Sequence, residues 1–95
     1  MGIDVIFISK VGCGICELMK PAWMYIKDSH LDWNYYHYVI GVDTEAHDVV
    51  ADWSSFNRDL PWFCVYKDNK PIDMISGGHR YKDIIKMLEK IVIGK

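Results

Sequence analysis

The sequence predicts an α/β domain: a four-stranded mixed sheet in the element order β-α-β-α-β-β-α, with helices on both faces. Three observations lead there. Residues 3–9, IDVIFIS, form a short β-branched run with little polar alternation, the mark of a strand buried on both faces. Segments with apolar residues at helical spacing then alternate with further strand candidates, and such an alternation requires a parallel, right-handed β-α-β unit at the start. The last two strands are separated only by the turn residues Asp68-Asn69-Lys70, so they close the sheet as an antiparallel hairpin.

Taken in order, the glycines Gly12 and Gly14 end the first strand, and residues 15–28 read as a helix with Leu18, Met19, Ala22, Trp23 and Ile26 on one face. Pro21 lies inside it and is expected to kink it, because it lacks an N–H and crowds the preceding turn. Residues 33–43, rich in tyrosine and β-branched side chains, read as a strand, and residues 44–57 as a helix capped by Asp43 or Thr44, with Val49, Val50 and Trp53 inward. Residues 62–67 and 71–76 are the hairpin strands, Gly77-Gly78 ends the second, and residues 79–93 form an amphipathic helix with Ile84, Ile85, Leu88, Ile91 and Val92 on its apolar side.

Composition sets the outer limits. At 95 residues the chain is one domain, 1–95, and with 51% apolar and 25% charged residues it has a core-forming, well-folded balance. A net charge of −2 provides no basic stripe for nucleic acid, and no apolar run is long enough to cross a bilayer. The N-terminal residues lack the basic region and cleavage site of a secretory leader, so the expected location is the cytoplasm. Three cysteines are too few for a disulfide-stapled secreted scaffold, and in a reducing compartment a close pair points to catalysis or metal binding.

That pair is Cys13 and Cys16, in the stretch VGCGICELMKP where strand gives way to helix. Residues three apart share a helix face, so the two sulfurs can meet. The helix start offers unpaired N–H groups that favour a thiolate at Cys13, the reactive form, leaving Cys16 as the resolving thiol. Gly12 and Gly14 give Cys13 room to be approached. Two other readings stand beside this one. A zinc site needs about four ligands, and the other candidates, Cys64, His30, His37, His47 and His79, are singly scattered. The pair could also be two inert buried residues, against which the flanking glycines argue. Cys64 reads as a small core residue, the four tryptophans as core or partly buried, and the histidines as surface residues without a catalytic role.

With those residues in place, the chain resembles the thioredoxin–glutaredoxin superfamily over nearly its whole length, as a minimal thioredoxin-like fold. CGIC is similar to the thioredoxin active site CGPC, with Ile15 in the place of proline; Pro21 matches the proline that kinks the active-site helix. RDLPWFCVYKDNKPI resembles the stretch around the thioredoxin cis-proline, with Arg58 and Pro61 in the matching places, and the hairpin is of thioredoxin length. Other features resemble glutaredoxins: the start directly at the active-site strand, a basic residue at Lys10, and the glycine pair of SGGH. A third similar group, glutaredoxin-like redoxins that serve ribonucleotide reductase, shares Leu60-Pro61 and the pattern of Ser76, Gly77 and Arg80. There are departures too. Gly12 stands where thioredoxins have tryptophan, and Phe7 where they bury an acid, so another group or water must take up the Cys16 proton. With Ile15 in the loop, the expected couple is more oxidising than that of thioredoxin.

The resemblance implies a thiol–disulfide oxidoreductase that reduces protein disulfides through Cys13 (nucleophile) and Cys16 (resolving). It implies a substrate surface at Gly12, Gly14, Ile15, Leu60, Pro61, Gly77 and Gly78, with Lys10 and Arg80 as anion or glutathione contacts. The Leu60–Pro61 bond is expected cis, leaving the Leu60 backbone to pair with an extended substrate. No metal or organic cofactor is expected. The implied partners are disulfide-containing proteins, ribonucleotide reductase among the candidates, and thioredoxin reductase or glutathione as reductant; the expected state is a monomer with no nucleic-acid or membrane partner. A glutathione-dependent glutaredoxin is the alternative within the class. Outside it stands a non-enzymatic thioredoxin-fold adaptor or zinc-binding module.

Overall fold

A computed structural model describes residues 2–53 and 59–94. The elements are β1 (Ile3–Lys10), α1 (Gly14–Leu18), α2 (Lys20–Ser29), β2 (Asn34–Ile40), α3 (Glu45–Asp52), β3 (Trp62–Lys67), β4 (Lys70–Ser76) and α4 (Tyr81–Gly94). The sheet runs β2-β1-β3-β4, with β1 parallel to β2 and the other neighbours antiparallel. The expected mixed four-stranded sheet is therefore present, and β1, the strand leading into the cysteines, is central.

Alternation along the strands divides the core into two layers. Val5 and Phe7 of β1 and Phe63 and Val65 of β3 face α2 and α4, where Trp23, Ile26, Ile84 and Leu88 meet them. Ile8, Trp62, Cys64 and Tyr66 face the other way, against Ala46, Val49 and Trp53 at α3. Both faces of β1 and β3 are covered, which explains the near-continuous apolar character of these strands. Cys64 and the four tryptophans are buried. At the end of α3 the Tyr66 hydroxyl donates to the Asp52 carboxylate at 2.7 Å and accepts from the Trp53 indole at 3.2 Å, so its polar end is satisfied inside the core.

Several boundaries differ from the sequence expectation, each for a local reason. The single kinked helix over 15–28 is two helices, broken at Met19, whose N–H bonds to the carbonyls of Ile15 and Cys16. Pro21 lies in the first turn of α2, where its missing N–H costs nothing. β2 stops at Ile40 rather than 43 because Gly41 takes a φ of +87° and the Asp43 carboxylate receives the Val39 N–H at 2.8 Å. The helix expected over 44–57 ends at Asp52, and the rest of that stretch, with Arg58, lies outside the described residues. The hairpin turn places Asp68 and Asn69 at φ values of 52° and 67°, the paired positive values that a two-residue hairpin loop requires. Of the histidines read as surface residues, His30 is half-buried: it stacks on Trp33 at 3.9 Å and bonds to Glu89 of α4 at 2.8 Å.

β4 is an edge strand. Its second residue is Pro71, and the Asp73 carboxylate receives the N–H of Met74 at 2.8 Å. Among the described residues no helix is long and apolar enough to cross a membrane.

Two stability predictions follow from this packing. Ile84 is fully buried and Ile93 is 85% exposed. Ile84→Ala should cost about 2–5 kcal/mol in urea unfolding, and Ile93→Ala less than about 0.5 kcal/mol. Tyr35 donates its hydroxyl to the carbonyls of Ile26 and His30. Burial, with the charge of Asp32 behind it, pushes that phenol from 10.0 up to about 12. The folded state thus holds the proton more tightly than the unfolded chain. The associated stability is whole below pH 10.0 and lost as pH rises toward about 12. Tyr35→Phe should flatten that alkaline slope in a pH series of unfolding curves.

Candidate active site

β1 delivers the chain to the cysteines through one tight turn. The Cys13 N–H returns to the Lys10 carbonyl at 3.2 Å, and Gly12 completes the turn at a φ of +83°. Cys13 is then the N-cap of α1: its backbone is extended and its sulfur accepts the Cys16 N–H at 3.2 Å. Cys13 and Cys16 are disulfide-bonded, with their Cα atoms 5.2 Å apart.

The two sulfurs differ in access. Cys13 is half-buried, while Cys16 is 1% exposed. The Cys16 N–H is aimed at the Cys13 sulfur at 3.2 Å, and a hydrogen bond to a charged sulfur there would be worth about 1.5–3 kcal/mol. The exposed Glu17–Lys20 pair nearby, at 2.9 Å, adds little by comparison.

Beside Cys13 lies an open hollow of about 650 Å³, lined by Lys10, Cys13, Gly14, Ile15, Asp59, Leu60, Gly77 and Gly78. The Leu60–Pro61 peptide is cis, and Pro61 is fully buried behind the hollow. This loop is tied to the end of β4: the Gly77 N–H bonds to the carbonyls of Asp59 at 3.1 Å and Pro61 at 2.9 Å. Leu60, between them, makes no backbone hydrogen bond among the described residues. At Gly78 a Cβ would lie 3.3 Å from Ile15 Cγ2, so this glycine lets the active-site loop and the β4–α4 connection touch.

The fold therefore gathers most of the residues singled out in the sequence. Cys13, Gly14, Ile15, Leu60, Gly77, Gly78 and Lys10 share one hollow. Gly12 lies in the turn below it, and Cys16 and Pro61 are buried beneath. Arg80 is not in the lining: it precedes α4, where its carbonyl accepts the Asp83 and Ile84 N–H groups at 3.0 Å. No group of three or more potential metal ligands gathers among the described residues. Cys64 lies in the α3-side layer, where burial pushes its thiol up, with the charge of Asp52 acting in the same direction.

Two residues of this neighbourhood, Asp59 and Ser9, carry no sequence expectation, and a third, His37, is expected only as a surface residue. Asp59 lines the hollow opposite Lys10 in charge. Ser9 is buried, and its hydroxyl lies 2.8 Å from His37 Nε2. A lone polar residue closing an apolar strand was the available signal for Ser9. Nothing in the local sequence marks His37. Phe7, in the place of the acid, is fully buried and stacks on Trp23 and Phe63 at 5.3 and 5.0 Å.

Fold and site together define a thioredoxin-fold domain with a Cys-x-x-Cys pair at the strand–helix junction. No protein-family model matches the chain, and no curated protein does. Solved structures do match. Thioredoxin of Fasciola hepatica is 22% identical, with a TM-score of 0.73, over 99% of this chain and 82% of its own. A chain in the structural work on the thiol resolving mechanism of yeast mitochondrial 1-Cys peroxiredoxin via glutathione/thioredoxin systems is 19% identical, with a TM-score of 0.75, over 94% and 78%. The short form of thioredoxin f from spinach chloroplast is 18% identical, with a TM-score of 0.72, over 96% and 77%. The chain has the thioredoxin fold.

The turn geometry separates the two glycines beside Cys13. Neither would meet a neighbour with an added Cβ, but only Gly12 has a positive φ. Gly12→Ala should therefore destabilise by about 1–2 kcal/mol. Gly14→Ala, in ordinary helical backbone, should change stability by less than about 1 kcal/mol or raise it. Chemical unfolding of the two variants checks both.

Proposed function

We propose that this chain is a thiol–disulfide oxidoreductase that reduces disulfides in other proteins. The observation that carries the reading is the unequal access of two bonded cysteines: Cys13 on an open hollow and Cys16 buried one turn behind it. Cys13 thiolate attacks a substrate disulfide, forming a mixed disulfide and releasing one substrate thiolate. Cys16 then attacks Cys13, the second substrate sulfur leaves with its electron pair, and the Cys13–Cys16 bond forms. An external dithiol or thiol, from a reductase or glutathione, restores the pair.

Gly12, Gly14 and Ile15 open the approach to Cys13, while Gly77 and Gly78 keep the opposite wall low. The Leu60 backbone, held between two carbonyls anchored by Gly77, offers an N–H and a C=O to an extended substrate segment. That is strand-type recognition, tolerant of sequence. Pro61 supports this loop from beneath.

A protein substrate suits the hollow better than glutathione. Glutathione carries two carboxylates, and among the described residues the lining has one cation, Lys10, balanced by Asp59. Arg80, the other proposed anion contact, is off the lining. The cytoplasm, ribonucleotide reductase as a target and thioredoxin reductase as electron donor remain part of this proposal, and their support is the resemblance set out above.

The test is insulin reduction with dithiothreitol as reductant. Wild type should accelerate it, and Cys13→Ser should fall to the uncatalysed background. Cys16→Ser should accumulate a mixed disulfide visible by mass spectrometry. Equal rates for wild type and Cys13→Ser, or stoichiometric zinc in the purified protein, would overturn the reading. Regeneration by glutathione with its reductase, and not by thioredoxin reductase, would move the chain to the glutaredoxin alternative.

A further inference from the structure

The resolving step needs a proton acceptor, and its location is a question about one face of β1. Cys16 is 1% exposed, and burial disfavours the thiolate it must become. Met19, three residues on, packs in the layer that holds Val5 and Phe7, so Cys16 shares that helix face over the end of β1. The inward residues of β1 there are Val5, Phe7 and Ser9. The first two have no polar side-chain atom. Ser9, 5% exposed, is the buried polar side chain at this end of the strand.

Among the described residues, Ser9 Oγ pairs with His37 Nε2 at 2.8 Å. His37 comes from β2, directly opposite Phe7 in the parallel register, and its ring lies 4.6 Å from the Phe7 ring. Phe7 thus holds the imidazole from one side while the rest of the ring reaches solvent at the sheet edge. The pair connects a buried hydroxyl to water.

We propose that the Ser9–His37 pair is the proton acceptor for the Cys16 thiol in the resolving step, an inference that rests on the redox reading above. With Nε2 unprotonated, the Ser9 hydroxyl donates to it and leaves its own lone pairs for the Cys16 S–H. The proton moves from Cys16 Sγ to Ser9 Oγ as the Ser9 proton moves to Nε2. Cys16 thiolate attacks Cys13 Sγ, the bond from Cys13 to the substrate sulfur breaks, and its electron pair leaves on the substrate thiolate. The imidazolium returns the proton to water or to that thiolate. The substrate disulfide is reduced by two electrons, and the Cys13–Cys16 dithiol is oxidised by two. Ser9 touches the reacting thiol in this scheme; His37 acts through it and is the positioning residue.

The surroundings of the ring suit a base. Ser9 and Phe7 face it from β1, Glu17 from α1, Lys20 and Lys27 from α2, and Asp43 from beyond β2. Desolvation of the ring, then Lys20, hold the largely exposed His37 below its ordinary value, against the opposing pull of Asp43 and Glu17. The ring is therefore neutral at physiological pH, the form that accepts a proton.

The experiment uses dithiobis-nitrobenzoate as substrate in stopped flow. The first nitrothiobenzoate released reports attack by Cys13, and the second reports resolution by Cys16. In Ser9→Ala and His37→Gln the ratio of second-phase to first-phase rate should fall about tenfold or more near pH 7. Ser9→Thr, which keeps the hydroxyl, should restore it. The wild-type ratio should decline as pH falls through the His37 titration, and His37→Gln should lose that inflection. An unchanged ratio in both variants overturns the proposal. So does a ratio lowered equally at every pH with the inflection retained, which is the mark of a structural role. Failure of wild type to release the first nitrothiobenzoate overturns the redox reading and this inference together. A normal first phase with an indifferent second phase overturns this inference alone.

Discussion

Phe7 sits where three strands and a helix converge: its ring packs on Trp23 of α2, Phe63 of β3 and His37 of β2, and it is sealed from solvent. Each contact adds about 0.5–1.5 kcal/mol beyond the area it buries. The geometric effect is larger than the sum. β1 cannot slide against β2 or β3 without unstacking this group, since a one-residue slip would turn every inward side chain outward. The end of β1, and with it the turn that presents Cys13, is fixed by an aromatic cluster two layers of residues away. On the same face of β1, two residues further along, Ser9 brings a hydroxyl into surroundings that Val5 and Phe7 leave apolar.

The second fixed point is the loop before β3. A single donor, the Gly77 N–H, holds two carbonyls that flank Leu60. That arrangement keeps the loop from collapsing onto the hollow and links the two walls of the site through the end of β4. Gly78 meets Ile15 across the same gap. A bulkier residue at either place pushes on the other, so positions 15 and 78 are best understood as one fitted contact rather than as separate loop residues.

How much of this was legible beforehand depends on the range of the interaction. The strand before the cysteines and the hairpin turn are written in adjacent residues; the turn expected over Asp68-Asn69-Lys70 takes only the first two, since Lys70 already opens β4. The four-stranded arrangement followed from alternation and from the handedness rule. Boundaries were less legible where a backbone conformation decided them, as at Met19 and Gly41. The Ser9–His37 contact was beyond reach of local reading: it depends on the register across a crossover connection, which places residues 28 apart in sequence side by side. His37 looked like one of several scattered histidines until that register was known. Arg80 shows the reverse case, a residue near the glycine pair in sequence that the start of α4 carries away from the hollow.

Pro71 and Asp73 on β4 have a consequence outside the site. An edge strand invites a second chain to add to the sheet, and the usual outcome at high concentration is aggregation. Here Pro71 lacks a donor altogether, and the Met74 N–H is held by the Asp73 carboxylate. An incoming strand finds an interrupted ladder and a negative charge at the place where pairing would start. The strand whose far end supplies Gly77 and Gly78 to the hollow is thus guarded along its open side against an added strand.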